Sequence, residues 1–94
     1  MKIHVFMMVL VILFGILLHI SLKEWIICII LFGLVIGAEL FNTAIEAVVD
    51  MISSEKSPQA KLAKDVSAGA VLVFAVASAI VGLIIFVPKI IALF

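Results

Sequence analysis

Uncharged apolar residues fill three long stretches of the chain, residues 3–22, 25–38 and 66–87, with the polar residues gathered between and beside them. A hydrocarbon core about 30 Å thick takes roughly 20 helical residues to cross, so the first and third stretches each have the length to span it. The middle stretch is short only because Glu39 interrupts it. Past that glutamate the apolar pattern runs on through LFNTAIEAVVDM and predicts one helix over residues 25–51. The chain therefore reads as a single all-α membrane domain, residues 1–94, with helices at about 3–22, 25–51 and 60–87 and a loop at about 52–59.

The connections support this division. Residues 19–24, HISLKE, allow only a tight helical hairpin, with Trp25 where an interfacial aromatic would sit. Residues 52–64 form the sole sustained polar segment, and Pro58 disfavours helix at Ser57, so the chain breaks there and resumes near Gln59. Pro88 followed by Lys89 is expected to end the third helix. Small residues at Ser67, Ala68, Gly69 and Ala70, then Ala75, Ala77, Ser78, Ala79 and Gly82, suit close helix packing in lipid, as does the Gly33/Gly37 spacing on the second helix.

Composition makes water an unsuitable main solvent. Hydrophobic residues are 68% of the 94 positions, charged residues 13%, and the mean hydropathy is +1.58. The formal net charge is zero, with six lysines and no basic patch, which argues against nucleic-acid binding. Lys2, Lys56, Lys61 and Lys64 fall on one side of the expected spans and Lys23 and Lys89 on the other, which places the N-terminus and second loop in the cytoplasm of a multi-pass cell-membrane protein. The first stretch is longer than a signal-peptide core and lacks a small-x-small site before Lys23, so it reads as a retained span. Cys28, the lone cysteine, reads as an inert packing residue.

The candidate chemistry sits on the second helix. At about 100° per residue, Glu39, Asn42, Glu46 and Asp50 lie within an arc of about 80° on one face. A carboxylate among apolar groups costs several kcal/mol unless paired, hydrated or protonated, so that face must meet protein or a wet cleft. Three helices barely bury such a stripe within one subunit, which suggests a homo-oligomer with the cleft between neighbours. Glu39 and Glu46 are about 10.5 Å apart along the axis and cannot share one ion. The deeper Glu39 suits a reactant dissolved in the bilayer, while Glu46 and Asp50 suit a metal or polyanion arriving from water. Lys64 and Asp65 are expected at the level of Asp50, with Lys64 as a point charge for phosphate. A base at depth, a carboxylate for a divalent cation and a cation for phosphates are the parts that phosphoryl transfer to a lipid hydroxyl requires. From the stripe alone an ion or proton pathway and plain polar packing stay open beside catalysis. His4 and His19, at helix ends, are assigned no ligand role, and no Walker loop, zinc spacing or nucleophile elbow occurs.

The run AELFNTAIEAVVD at residues 38–50, followed by AKLAKDVSAGAVLVFAVASAIVGLIIFVPK at residues 60–89, resembles the prokaryotic diacylglycerol kinase family and, within it, the undecaprenol kinases of Gram-positive bacteria. The motif E-x-x-N-(S/T)-A-I-E-x-x-V-D and the A-K-D run carry the resemblance, which extends over nearly the whole chain. It implies a homotrimer with active sites shared between subunits at the cytoplasmic interface, and transfer of the γ-phosphoryl group of ATP to a membrane lipid alcohol, undecaprenol or alternatively diacylglycerol. Glu39 would be the general base, Asn42 the site asparagine, and Glu46 a ligand of the magnesium ion carried with ATP. Lys64 and Asp65 would contact the nucleotide, as would Glu55, Lys56 and Ser57 in the loop, although composition alone reads that loop as solvated. Ala68 joins Glu39 as a lipid-contacting position. Family members carry an amphipathic surface helix and a second metal-binding glutamate before the segment matching Lys2 to His4, and the sequence begins after both. This leaves Glu46 as the single protein carboxylate for magnesium and keeps two further expectations in play: a small proton-coupled transporter, and an inactive scaffold left by N-terminal loss.

Overall fold

The computed structural model describes residues 2–53 and 57–94, and three helices make up nearly all of them: α1 (Lys2–Leu18), α2 (Leu22–Ile52) and α3 (Pro58–Leu93). They run up, down and up in an elongated body of 55 × 19 × 16 Å. α2 with 31 residues and α3 with 36 are each long and apolar enough to cross a membrane, whereas α1 has 17. At 1.5 Å per residue α1 is about 25 Å long, short of the span expected from its hydropathy.

The shortfall comes from how α1 ends. It stops at Leu18, not at residue 22, because His19 turns into the left-handed region at φ 52° and the Ile20 N–H closes on the Gly15 carbonyl at 3.2 Å. That six-to-one closure is a Schellman motif, normally built with glycine at the left-handed position, so nothing in the apolar run announced it. Ile20 then tucks in, 6% exposed. α2 begins at Leu22, three residues before expectation, under a full capping box: Ser21 Oγ accepts from the Glu24 N–H at 3.2 Å, and the Ser21 N–H donates to Glu24 Oε1 at 2.9 Å.

α3 starts at Pro58, with Ser57 Oγ accepting from the Ala60 N–H at 3.0 Å and proline in the first turn, where its missing N–H costs least. Its far end corrects the expected stop, because the helix passes through Pro88 to Leu93. One lost backbone bond is tolerable in a long apolar helix whose following residues, KIIAL, favour helix. The extension also carries Lys89 to Glu24, 3.0 Å away, joining the last turns of α3 to the first turn of α2.

Packing is dominated by the antiparallel α2–α3 pair. Cys28, Val35 and Ile85 are buried with Ile20, and Val11, Trp25, Phe32, Val81 and Phe86 pack around the cluster formed by Ile20, Cys28 and Ile85. Cys28 is a free, buried thiol, as its apolar setting suggested. Trp25 is half-buried against Gly15 rather than a simple interfacial anchor. Most other large apolar side chains point outward, among them Phe41, Leu72, Val73, Leu83 and Ile84. Gly33 and Gly37 face no neighbouring helix within the chain: a Cβ at either would meet nothing within 4 Å. Their close-packing role therefore does not operate inside one subunit.

Gly15 is different. A Cβ there would stand 2.7 Å from Trp25 Cη2, 2.9 Å from Cζ2 and 3.1 Å from Ile20 Cδ1. Gly15→Ala should lower unfolding free energy in mixed micelles by about 1–3 kcal/mol, the usual cost of overpacking. Trp25→Leu in the same background should recover part of that loss, and an alanine variant as stable as the parent would contradict this packing.

Candidate functional site

The α2–α3 hairpin sets the register of the polar stripe. Because the two helices are antiparallel, residues near the end of α2 meet the first turns of α3, and the stripe of α2 faces Ser67 and Lys64. Asn42 is the hub. Its Nδ2 donates to Glu46 Oε1 at 3.0 Å, one helical turn along, and its Oδ1 accepts from the Ser67 hydroxyl across the helix interface. Ser67 is buried, 7% exposed. Both faces of the Asn42 amide are thus occupied, which fixes its plane and, through it, one oxygen of Glu46.

One turn farther, Lys64 Nζ donates to Asp50 Oδ1 at 2.5 Å. The Asp50 carboxylate is well exposed and Lys64 partly so, hence this pair sits at the wet end of the stripe, and such a pair contributes little to stability. The expected level of Lys64 with Asp50 is what the fold produces. Asp65, next in sequence and so about 100° around the helix, is exposed, as is Ala68. Ser57 is the N-cap of α3, and the expected loop contacts Glu55 and Lys56 lie outside the described residues.

Glu39, at the other end, is far more sheltered than Asp50. Its side chain is 12% exposed, and Oε1 accepts from Nδ1 of His4 in the first turn of α1. The Thr43 hydroxyl, one turn on, is spent on the Glu39 backbone carbonyl at 3.0 Å. The sequence assigns His4 no role, and the structure corrects that: α1 starts level with Glu39, so a histidine at a helix end meets an acid in the middle of another helix. The 13 residues of α2 beyond Glu39 continue for about 20 Å past this point and have only α3 beside them within the chain.

Between the three helices, starting at His4, lies an open apolar groove of about 530 Å³. Met8 and Val11 of α1, Cys28 and Val35 of α2 and Ala79 and Gly82 of α3 are among its walls. Ser78 also lines it, and its Oγ is buried without a hydrogen-bond partner. Among the described residues no group of three or more His, Cys, Asp or Glu side chains could hold a metal ion by itself. Glu46 supplies one carboxylate, enough for magnesium only where phosphate oxygens and water complete the shell, as they commonly do.

The sequence identifies Glu39, Asn42, Glu46 and Asp50 as one face of α2 with Lys64 level with Asp50, and the fold pairs Asn42 with Glu46 and Lys64 with Asp50. The sequence alone misses Ser67 and His4. Ser67 reads as one of a run of small residues, although a hydroxyl opposite an expected polar stripe is a usable signal. His4 had no local signal at all.

A model of the family described as prokaryotic diacylglycerol kinase matches residues 1–86. The undecaprenol kinase of Bacillus subtilis is 53% identical over 75 residues, covering 80% of this chain and 61% of that protein. The diacylglycerol kinase of Synechocystis is 40% identical over 93 residues, covering 98% of this chain and 53% of that protein. The chain spans a little over half the length of these curated relatives. No solved structure matches it. With a family model covering α1, α2, most of α3 and every residue of the polar stripe, this chain belongs to the prokaryotic diacylglycerol kinase family.

Proposed function

We propose that this protein is an ATP-dependent lipid kinase that transfers the γ-phosphoryl group to the hydroxyl of a membrane-dissolved lipid alcohol, with undecaprenol as the acceptor. The observation that carries the reading is the placement of Glu39: a sheltered carboxylate on an apolar helix, at the end of an apolar groove, in line along α2 with Asn42, Glu46 and the Asp50–Lys64 pair. The name of the Bacillus relative, undecaprenol kinase, favours the isoprenoid alcohol, and that of the Synechocystis relative makes diacylglycerol the competing acceptor.

In this reading Glu39 takes the proton of the acceptor hydroxyl as its oxygen bonds to the γ-phosphorus. The bond from that phosphorus to the β–γ bridging oxygen breaks, and ADP leaves with the electron pair. Magnesium, when bound with ATP, neutralises charge on the β- and γ-phosphates, and Glu46 is the residue that would hold it. Asn42, clamped between Ser67 and Glu46, holds one oxygen of the Glu46 carboxylate in place. Lys64 would exchange Asp50 for phosphate oxygens, a small loss because the pair is exposed. Asp65, Ser57, Glu55 and Lys56 would surround the nucleotide, and Ala68 would lie along the lipid. The exposed apolar flanks of α2 and α3 suit a homotrimer in which a neighbour closes each site, and the lysine distribution suits a site on the cytoplasmic side.

The deciding assay supplies labelled ATP and magnesium to the full chain in lipid bilayers with either undecaprenol or diacylglycerol. Label should pass to undecaprenol with the higher kcat/KM; transfer to neither lipid would sink the proposal, and preference for diacylglycerol would change the acceptor. Glu39→Gln should lower transfer by at least about 100-fold, the scale of a lost general base, while ATP affinity stays within about twofold. Glu46→Gln should instead weaken magnesium-dependent ATP binding about tenfold or more, and equal loss of nucleotide binding in both variants would refute the division of roles.

A further inference from the structure

The groove and the polar stripe meet at one residue that no motif singles out. His4 lines the groove, and it is also the partner of Glu39, to which its ring Nδ1–H donates. The ring is 25% exposed and the carboxylate 12%, so the contact is shielded on most sides.

We infer that His4 is a positioning residue for the proton-accepting carboxylate: its ring fixes the rotation of the Glu39 side chain before an acceptor hydroxyl arrives. The inference rests on the kinase reading and deepens it. A glutamate has three rotatable side-chain bonds, so an unheld Glu39 carboxylate could occupy several staggered rotamers. A ring N–H donor on a separate helix restricts that freedom by holding one carboxylate oxygen in a hydrogen bond. The same contact ties the first turn of α1 to α2. Among the described residues, other charged or titratable groups are poorly placed to substitute for the His4 ring. From α1 the other candidate is the exposed Lys2, and α2 offers Glu46, about 10.5 Å along the axis. The stretch of α3 at this level, residues 67–78, has no titratable side chain. Asp65 and Lys64 lie farther toward the wet end, Lys64 on Asp50.

The test separates positioning from folding and from the kinase reading itself. In the full chain in bilayers, His4→Leu should lower kcat for lipid phosphorylation about 10–100-fold, the cost of a misplaced catalytic group, with KM for ATP unchanged within about twofold. His4→Gln, which keeps an N–H donor, should recover most of the loss. A leucine variant with parental kcat, or a glutamine variant no better than leucine, would overturn the inference. An independent reading comes from ¹⁵N-histidine spectra of the two-histidine chain. Glu39→Gln should displace the His4 ring signals and leave those of His19 in place; unmoved His4 signals would also overturn the inference. Absence of transfer by the parent chain would refute the kinase reading and the positioning role with it, while the spectra would still show whether the two side chains meet.

Discussion

A carboxylate removed from water must find a donor, and the arrangement of this protein follows from that requirement at Glu39 and Glu46. Neither acid is isolated. Glu39 has the imidazole of His4, and Glu46 has the amide of Asn42, itself held by the Ser67 hydroxyl. Each donor comes with its own constraint: the first fixes α1 against α2, and the second fixes α3 against α2. The polar stripe is thereby the register key of the bundle as well as its candidate chemistry, because a slip of one turn in either helix would leave an acid without its partner.

Unequal helix lengths separate two environments along that stripe. α1 begins level with Glu39, so the carboxylate is sheltered and meets His4, a wall of the apolar groove. Farther along, α2 and the first turns of α3 project beyond α1, and there the side chains are exposed and charged. A lipid hydroxyl and a nucleotide phosphate belong to different solvents, and a rod that is sheltered at one level and wet some 15 Å away can present groups to both. The same projection leaves large apolar side chains of α2 and α3 outward-facing, which suits lipid or another copy of the chain and does not suit water.

The misreadings along the chain share a cause. Hydropathy treats residues 3–22 as uniform, yet the chain turns at His19 because a local hydrogen bond to Gly15 and burial of Ile20 outweigh the strain of a left-handed non-glycine residue. Pro88 looked like a terminator, yet α3 continues because helix on both sides and the Lys89–Glu24 pair offset one missing backbone bond. The Ser21-x-x-Glu24 capping box was present in plain letters and marks the start of α2 more sharply than the apolar pattern does.

Helical class, three elements, the apolar character and the shared face of Glu39, Asn42, Glu46 and Asp50 were all legible in the sequence. They depend on periodicity and composition, which are properties of the chain read in order. Lys64 opposite Asp50 was also legible, since a short loop between antiparallel helices leaves few registers. The partnership of His4 with Glu39, 35 positions apart, and of Ser67 with Asn42, 25 apart, belongs to the tertiary structure alone. It depends on where α1 stops and how far α2 projects past it, and those lengths are set by a turn and by packing that no local pattern encodes.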